Sequence, residues 1–147
     1  MYKNREGYSD PTAGVAMSRV MKEYKQKQRR EWARKEAIKN RPVAYVASRY
    51  AGDIAANVDA AAEACRYVAK NGYIPVCPHI MYPNMGFDDN NPEEREMCCL
   101  FGLALLKRCD ELWCFTVDGY LSPGMRAEET EAKRLGIPVR YIEMEVI

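Results

Sequence analysis

Ser122-Pro-Gly124-Met-Arg126-Ala-Glu128 brings a hydroxyl, a glycine turn and a carboxylate within seven residues of one another. The segment follows an apolar run, Leu112-Trp-Cys-Phe115, and opens a helix-like stretch that ends at Gly136. Open α/β sheets bind ligands in the loops beyond the carboxyl ends of their strands. In such a loop, Ser122 and the free N–H groups of a new helix suit an anion such as phosphate. Glu128 stands about one turn inside, close enough to face whatever the loop holds. The same residues also fit a plain helix start, with Ser122 as cap and Glu128 favouring the helix dipole. Spacing alone leaves both open.

Two other segments carry candidate chemistry. Ser48-Arg49-Tyr50-Ala-Gly52 follows an apolar run, and arginine there offers a planar fork of donors that matches phosphate. His79 is the only histidine in the chain. It stands where a second apolar run ends, as a weak catalytic candidate beside the structural role more usual for a lone histidine. The residues after it, Met81-Tyr-Pro-Asn-Met-Gly-Phe-Asp-Asp89, hold aromatics able to stack on a base or to pack on one another as a lid. Tyr45 points either into the core or towards the site, and alternation does not decide which.

The elements that must position these residues are legible from residue 43 onward. Strand-like runs at 43–47, 73–77, 111–116 and 137–142 alternate with helix-like stretches at 54–71, 92–108 and 124–135. Residues 78–91 read as a long loop. This alternation predicts a three-layer α/β sandwich, Rossmann- or flavodoxin-like, with a parallel sheet. Right-handed crossovers make 2-1-3-4 the simplest strand order. Loops 48–53, 77–91 and 117–124 would then gather at one edge.

Before this domain, residues 1–42 form a polar arm and a helix expected from about 13 to 39, with Thr12 as its cap. The arm holds 12 Lys/Arg against 5 Asp/Glu, a balance of +7, whereas residues 43–147 hold 10 against 16, a balance of −6. Its basic stretch Lys25-Gln-Lys-Gln-Arg-Arg30 lacks the interleaved aromatics of a nucleic-acid reader. A solvated or subunit-contact helix is the expectation, and with it a homo-oligomer rather than a nucleic-acid partner. No apolar run approaches the roughly 20 residues that span a bilayer, and the N-terminus lacks a signal-peptide segment. A cytoplasmic protein is expected, with its six cysteines as reduced thiols. They form no C-x-x-C pair, so no metal site is expected, nor any cofactor.

Tyr45-Val-Ala-Ser48, Cys109-Asp110 and Ser122-x-Gly124-x-x-x-Glu128 together resemble the nucleoside 2-deoxyribosyltransferase-like superfamily, over about residues 43–143. The likeness is closest to an uncharacterised bacterial and phage branch, through Pro78-His79, Asp88-Asp89, Pro92-Glu-Glu-Arg95 and Ser122-x-Gly124-Met125. The leader, Tyr2-Lys-Asn and Glu6-Gly-Tyr-x-Asp-Pro-Thr-Ala-Gly14, resembles those of phage and mobile-element proteins. The resemblance implies that Glu128 matches a nucleophile that attacks the anomeric carbon, as in retaining glycosidases. It implies ligand contacts at Tyr45, Ser48, Arg49, Tyr50, Asp89, Arg95, Ser122, Gly124 and Met125.

Two departures shape the expected function. Active transferases carry aspartate where this chain has Ser122, and serine there resembles nucleotide 5′-monophosphate N-glycosidases. A hydroxyl can donate to a phosphate that a carboxylate would repel. The active enzymes also carry an aspartate at the position of Gly102. The expectation is therefore a binder of a ribose- and phosphate-containing nucleotide, sequestering an immune signal such as an ADP-ribose derivative in an anti-defence role. The alternatives are a nucleotide N-glycosidase or deoxyribosyltransferase using Glu128, and a partner-binding module acting through the basic helix.

Overall fold

A computed structural model describes residues 11–49 and 54–146. The chain divides into two compact units, residues 1–40 and 41–147. The described part of the first is one helix, α1 (Pro11–Lys39). It starts at Pro11, so Thr12 lies inside it rather than capping it, and proline suits a first helical position because no N–H is needed there. None of its residues is buried, and Val15, Met17, Val20, Met21, Tyr24 and Trp32 are all exposed. Pairs such as Glu31–Arg34 and Glu36–Lys39 decorate its surface, each contributing only about 0.2–0.5 kcal/mol. The leader residues up to Asp10 lie outside the described residues.

The second unit is built as β1 (Val43–Ala47), α2 (Ile54–Lys70), β2 (Ile74–Val76), α3 (Pro78–Asn84), α4 (Pro92–Leu106), β3 (Glu111–Thr116), α5 (Pro123–Leu135) and β4 (Val139–Glu143). A short 3₁₀ turn, Met144–Val146, follows. The four strands form one sheet in the order β2-β1-β3-β4, and every pairing is parallel. This is the order that the alternation of strands and helices predicts.

Successive strand side chains point to opposite faces, and the core divides accordingly. Ala44, Val46, Trp113 and Phe115 pack with Ala61, Ala64 and Val68 of α2. Tyr45, Ala47, Leu112 and Cys114 pack with Leu106 of α4 and with Met125 and Ala132 of α5. The sheet is thus the middle of three layers, and Tyr45 lies on the α4–α5 side. All six cysteines are free thiols. Among the described residues, no helix is long and apolar enough to cross a membrane.

One element departs from the sequence expectation. Residues 78–84, expected as loop, form α3. Pro78 takes its first position, where a missing N–H costs nothing, and Pro83 comes only in its last turn. Asn84 donates its side-chain amide back to the Ile80 carbonyl at 2.9 Å. Gly86, at φ +92°, turns the chain away after it.

Candidate functional site

A cavity of about 330 Å³ opens between α3, α4 and α5, on the sheet face that carries Tyr45. Helical spacing builds each wall. From α5 come Gly124, Ala127 and Glu128; from α4 come Glu94, Arg95, Cys98, Cys99 and Gly102; from α3 come His79, Tyr82 and Pro83. Residues three and four apart share a helix face, so each helix lines the cavity with one stripe.

Both helix starts are fixed by their sequence. Asn91 caps α4 by accepting from Glu93 N–H at 3.0 Å and Glu94 N–H at 3.3 Å, with Pro92 at the first position. Ser122 caps α5, its hydroxyl accepting from Met125 N–H at 3.3 Å, with Pro123 at the first position. The capping role of Ser122 is therefore real, and the residue also lines the cavity. At Gly124, an added Cβ would meet nothing within 4 Å, so backbone is open there.

Glu128 is 7% exposed and lines the cavity. Its Oε1 lies 3.5 Å from His79 Nε2. Its Oε2 is buried without a hydrogen-bond partner. The Tyr45 hydroxyl sits against the same carboxylate. Burial first, then the charge of Glu128 and a hydrogen bond to it, push the phenol's pKa far above its ordinary value. Gly102 completes the arrangement: a Cβ there would stand only 2.8 Å from the Tyr45 oxygen. That hydroxyl fills the space next to Gly102.

The cavity thus brings together Tyr45, His79, Asp89, Arg95, Ser122, Gly124 and Glu128. It does not take in every expected contact. Met125 is buried in the core against the sheet, because it sits one residue round the helix from Gly124. Ser48 is buried at the end of β1, its hydroxyl without a hydrogen-bond partner, and is not part of the lining. Arg49 is exposed and stacks over the Tyr120 ring at 5.7 Å. Tyr50 lies outside the described residues. Among the described residues, no three His, Cys, Asp or Glu side chains are grouped to hold a metal ion.

Glu143 is a residue that sequence reasoning missed. Standing at the end of β4, it accepts from the Thr116 hydroxyl at 2.6 Å, Gly119 N–H at 2.6 Å and Asp118 N–H at 3.0 Å. These bonds hold the turn that leads into Ser122, and Asp118 adopts φ +53° within it. The Thr116 hydroxyl first, then the two N–H groups, lower the Glu143 pKa. The available signal was a carboxylate ending a strand beside a glycine-containing turn.

No curated protein matches this chain. A family model matches residues 42–142, the whole strand-and-helix domain apart from its last few residues, and the chain belongs to that family, described as domain of unknown function DUF7768.

Proposed function

We propose that the α3–α4–α5 cavity binds a nucleotide, holding its ribose against Glu128 and its 5′-phosphate where α5 begins. The observation carrying this reading is the Oε2 atom of Glu128, buried without a hydrogen-bond partner in a carboxylate that lines the cavity. A buried acceptor left unpaired costs about 1–3 kcal/mol, and a ribose hydroxyl is a donor of the right size to relieve it. Ser122 and Gly124 at the same cavity supply a hydroxyl and open backbone at a helix start, where anions are favoured. The cavity volume lies at the small end of ligand sites, which suits one nucleotide. The resemblance to the nucleoside 2-deoxyribosyltransferase-like superfamily supports the same assignment.

Holding rather than cleaving is the reading we favour, with an anti-defence sink for a nucleotide signal as its biological form. Gly102 supplies no side chain to act on a leaving group, and the Tyr45 hydroxyl takes up the space beside it. Mass spectrometry of small molecules carried through purification tests this, together with calorimetric titration of ribonucleoside 5′-monophosphates. Recovery of an intact nucleotide is expected. Titration in which no 5′-phosphorylated ribose compound binds would overturn the proposal.

A second reading, cleavage of an N-glycosidic bond, is favoured by the pairing of Glu128 with His79. Carboxylate nucleophiles need an oxygen free to reach the anomeric carbon, and Oε2 has no partner to give up. Release of free base that vanishes in Glu128→Gln would establish it.

A further inference from the structure

The cavity is chemically lopsided. At its α3–α4 side, the rings of Tyr82 and Phe87 meet edge to face with centroids 5.8 Å apart. Beside them stand Asp88, Asp89 and Glu94, and with Glu128 these make four lining carboxylates against one guanidinium, that of Arg95. Internal bonds absorb part of this charge. Glu94 Oε2 accepts from Asp88 N–H at 2.7 Å, and Asp88 Oδ1 accepts from Asn90 N–H at 2.9 Å. Asp89 and Arg95 approach only to 3.9 Å, too far for a hydrogen bond. Negative charge remains in excess.

The field reaches the neighbouring thiol. Burial raises the Cys98 pKa first, and the charges of Cys99, Glu94 and Asp89 add to it. The unpartnered Oε2 of Glu128, more than nine-tenths buried, is independent of this cluster and asks for a donor or a positive charge. In the nucleotide reading the ribose meets Glu128, so the base faces Asp88, Asp89 and Glu94. A cationic ring is attracted by these carboxylates and stacks favourably on aromatic faces, whereas a neutral base has only the stacking.

We propose that the α3–α4 side of the cavity selects a positively charged nitrogen heterocycle, so that the ligand class is an N-ribosyl pyridinium 5′-phosphate. This rests on the nucleotide reading above and adds to it the charge of the base. Nicotinamide mononucleotide and its reduced, dihydropyridine form make a matched pair of probes. They share ribose, phosphate and ring size and differ in the charge and the aromaticity of the ring, and the response to salt separates the two.

Calorimetric titration of the whole protein is expected to give at least about tenfold tighter binding of the oxidised form. The preference should shrink in Asp89→Asn, an exposed position whose substitution leaves the thermal melt unchanged, and in high salt. Equal affinity for the two forms, or tighter binding of the reduced one, overturns the charge selectivity and leaves the nucleotide reading standing. Failure of both forms and of adenosine 5′-monophosphate to bind at millimolar concentration overturns the nucleotide reading, and this inference with it.

Discussion

Replacing Gly102 with alanine sets two effects of known sign against each other. Inside a helix, alanine is more favourable than glycine by about 1 kcal/mol. Here, however, the added Cβ would stand 2.8 Å from the Tyr45 oxygen, with Pro78 side-chain carbons at an ordinary 4.0 Å. Tyr45 is only 2% exposed and belongs to a strand paired on both sides, so its ring has little room to retreat. Forcing atoms into a packed core costs about 1–3 kcal/mol. The expected outcome is a net loss of about 1 kcal/mol, lowering Tm by about 4 °C in a domain of this size. In a Tyr45→Phe background the offending oxygen is gone, and the same substitution should stabilise by about 1 kcal/mol. The coupling in the double-mutant cycle is then about 2 kcal/mol. Urea unfolding followed by far-ultraviolet circular dichroism measures all four proteins. If Gly102→Ala shifts stability equally in both backgrounds, the hydroxyl does not fill that space.

Four further outcomes are expected. Ser122→Asp should weaken binding of 5′-phosphorylated ligands by about tenfold, or about 1.4 kcal/mol, by placing a carboxylate against the phosphate; unchanged calorimetric affinity would remove Ser122 from the phosphate site. Glu143 has a lowered pKa in the folded state, so its stabilising bonds persist above the unfolded value of 4.5 and are lost as pH falls through the folded one. The Tm advantage of wild type over Glu143→Gln should therefore be present at neutral pH and close in acid, and a gap independent of pH would contradict the clamp. Iodoacetamide at mildly alkaline pH should label exposed Cys99 first and spare Cys114, whose thiol is pushed up to about 12 by burial and then by Glu128 and Glu129; equal labelling rates by mass spectrometry would mean an open core. Light scattering should give at least a dimer, because the exposed apolar residues of α1 have no cover among the described residues of its own unit and isolated helices are marginal in water; a monomer with the helix intact would remove that reason.

What was legible in the sequence, and what was not, follows from how each signal is encoded. Val43–Ala47 and Glu111–Thr116 could be read to the residue because central parallel strands are covered on both faces and appear as unbroken apolar runs. The same double covering hid the direction of Tyr45. With both faces apolar, parity assigns side chains to two sets but does not say which set meets α4 and α5. The helix α3 was missed because seven residues are too few to show a period and its prolines read as loop.

The site shows the same division between local and non-local information. Strand order brings the loops after β1 and β3 to one edge, which made Ser48 and Arg49 natural partners for Ser122. The cavity instead lies on one face of the sheet, against α3 and α4, and its lining includes neither of them. Asp89 and Arg95 entered through a family likeness, not through any spacing that points at the cavity. Gly102 shows the limit most clearly. In the sequence it is only a glycine where the transferases that the chain resembles carry an aspartate. Beside a β1 tyrosine whose hydroxyl would lie 2.8 Å from any Cβ, it becomes half of a complementary pair, formed by residues 57 positions apart. A side chain at 102 and a hydroxyl at 45 compete for one volume. Here the phenol holds that volume next to Glu128, and any side chain at 102 would have to displace it.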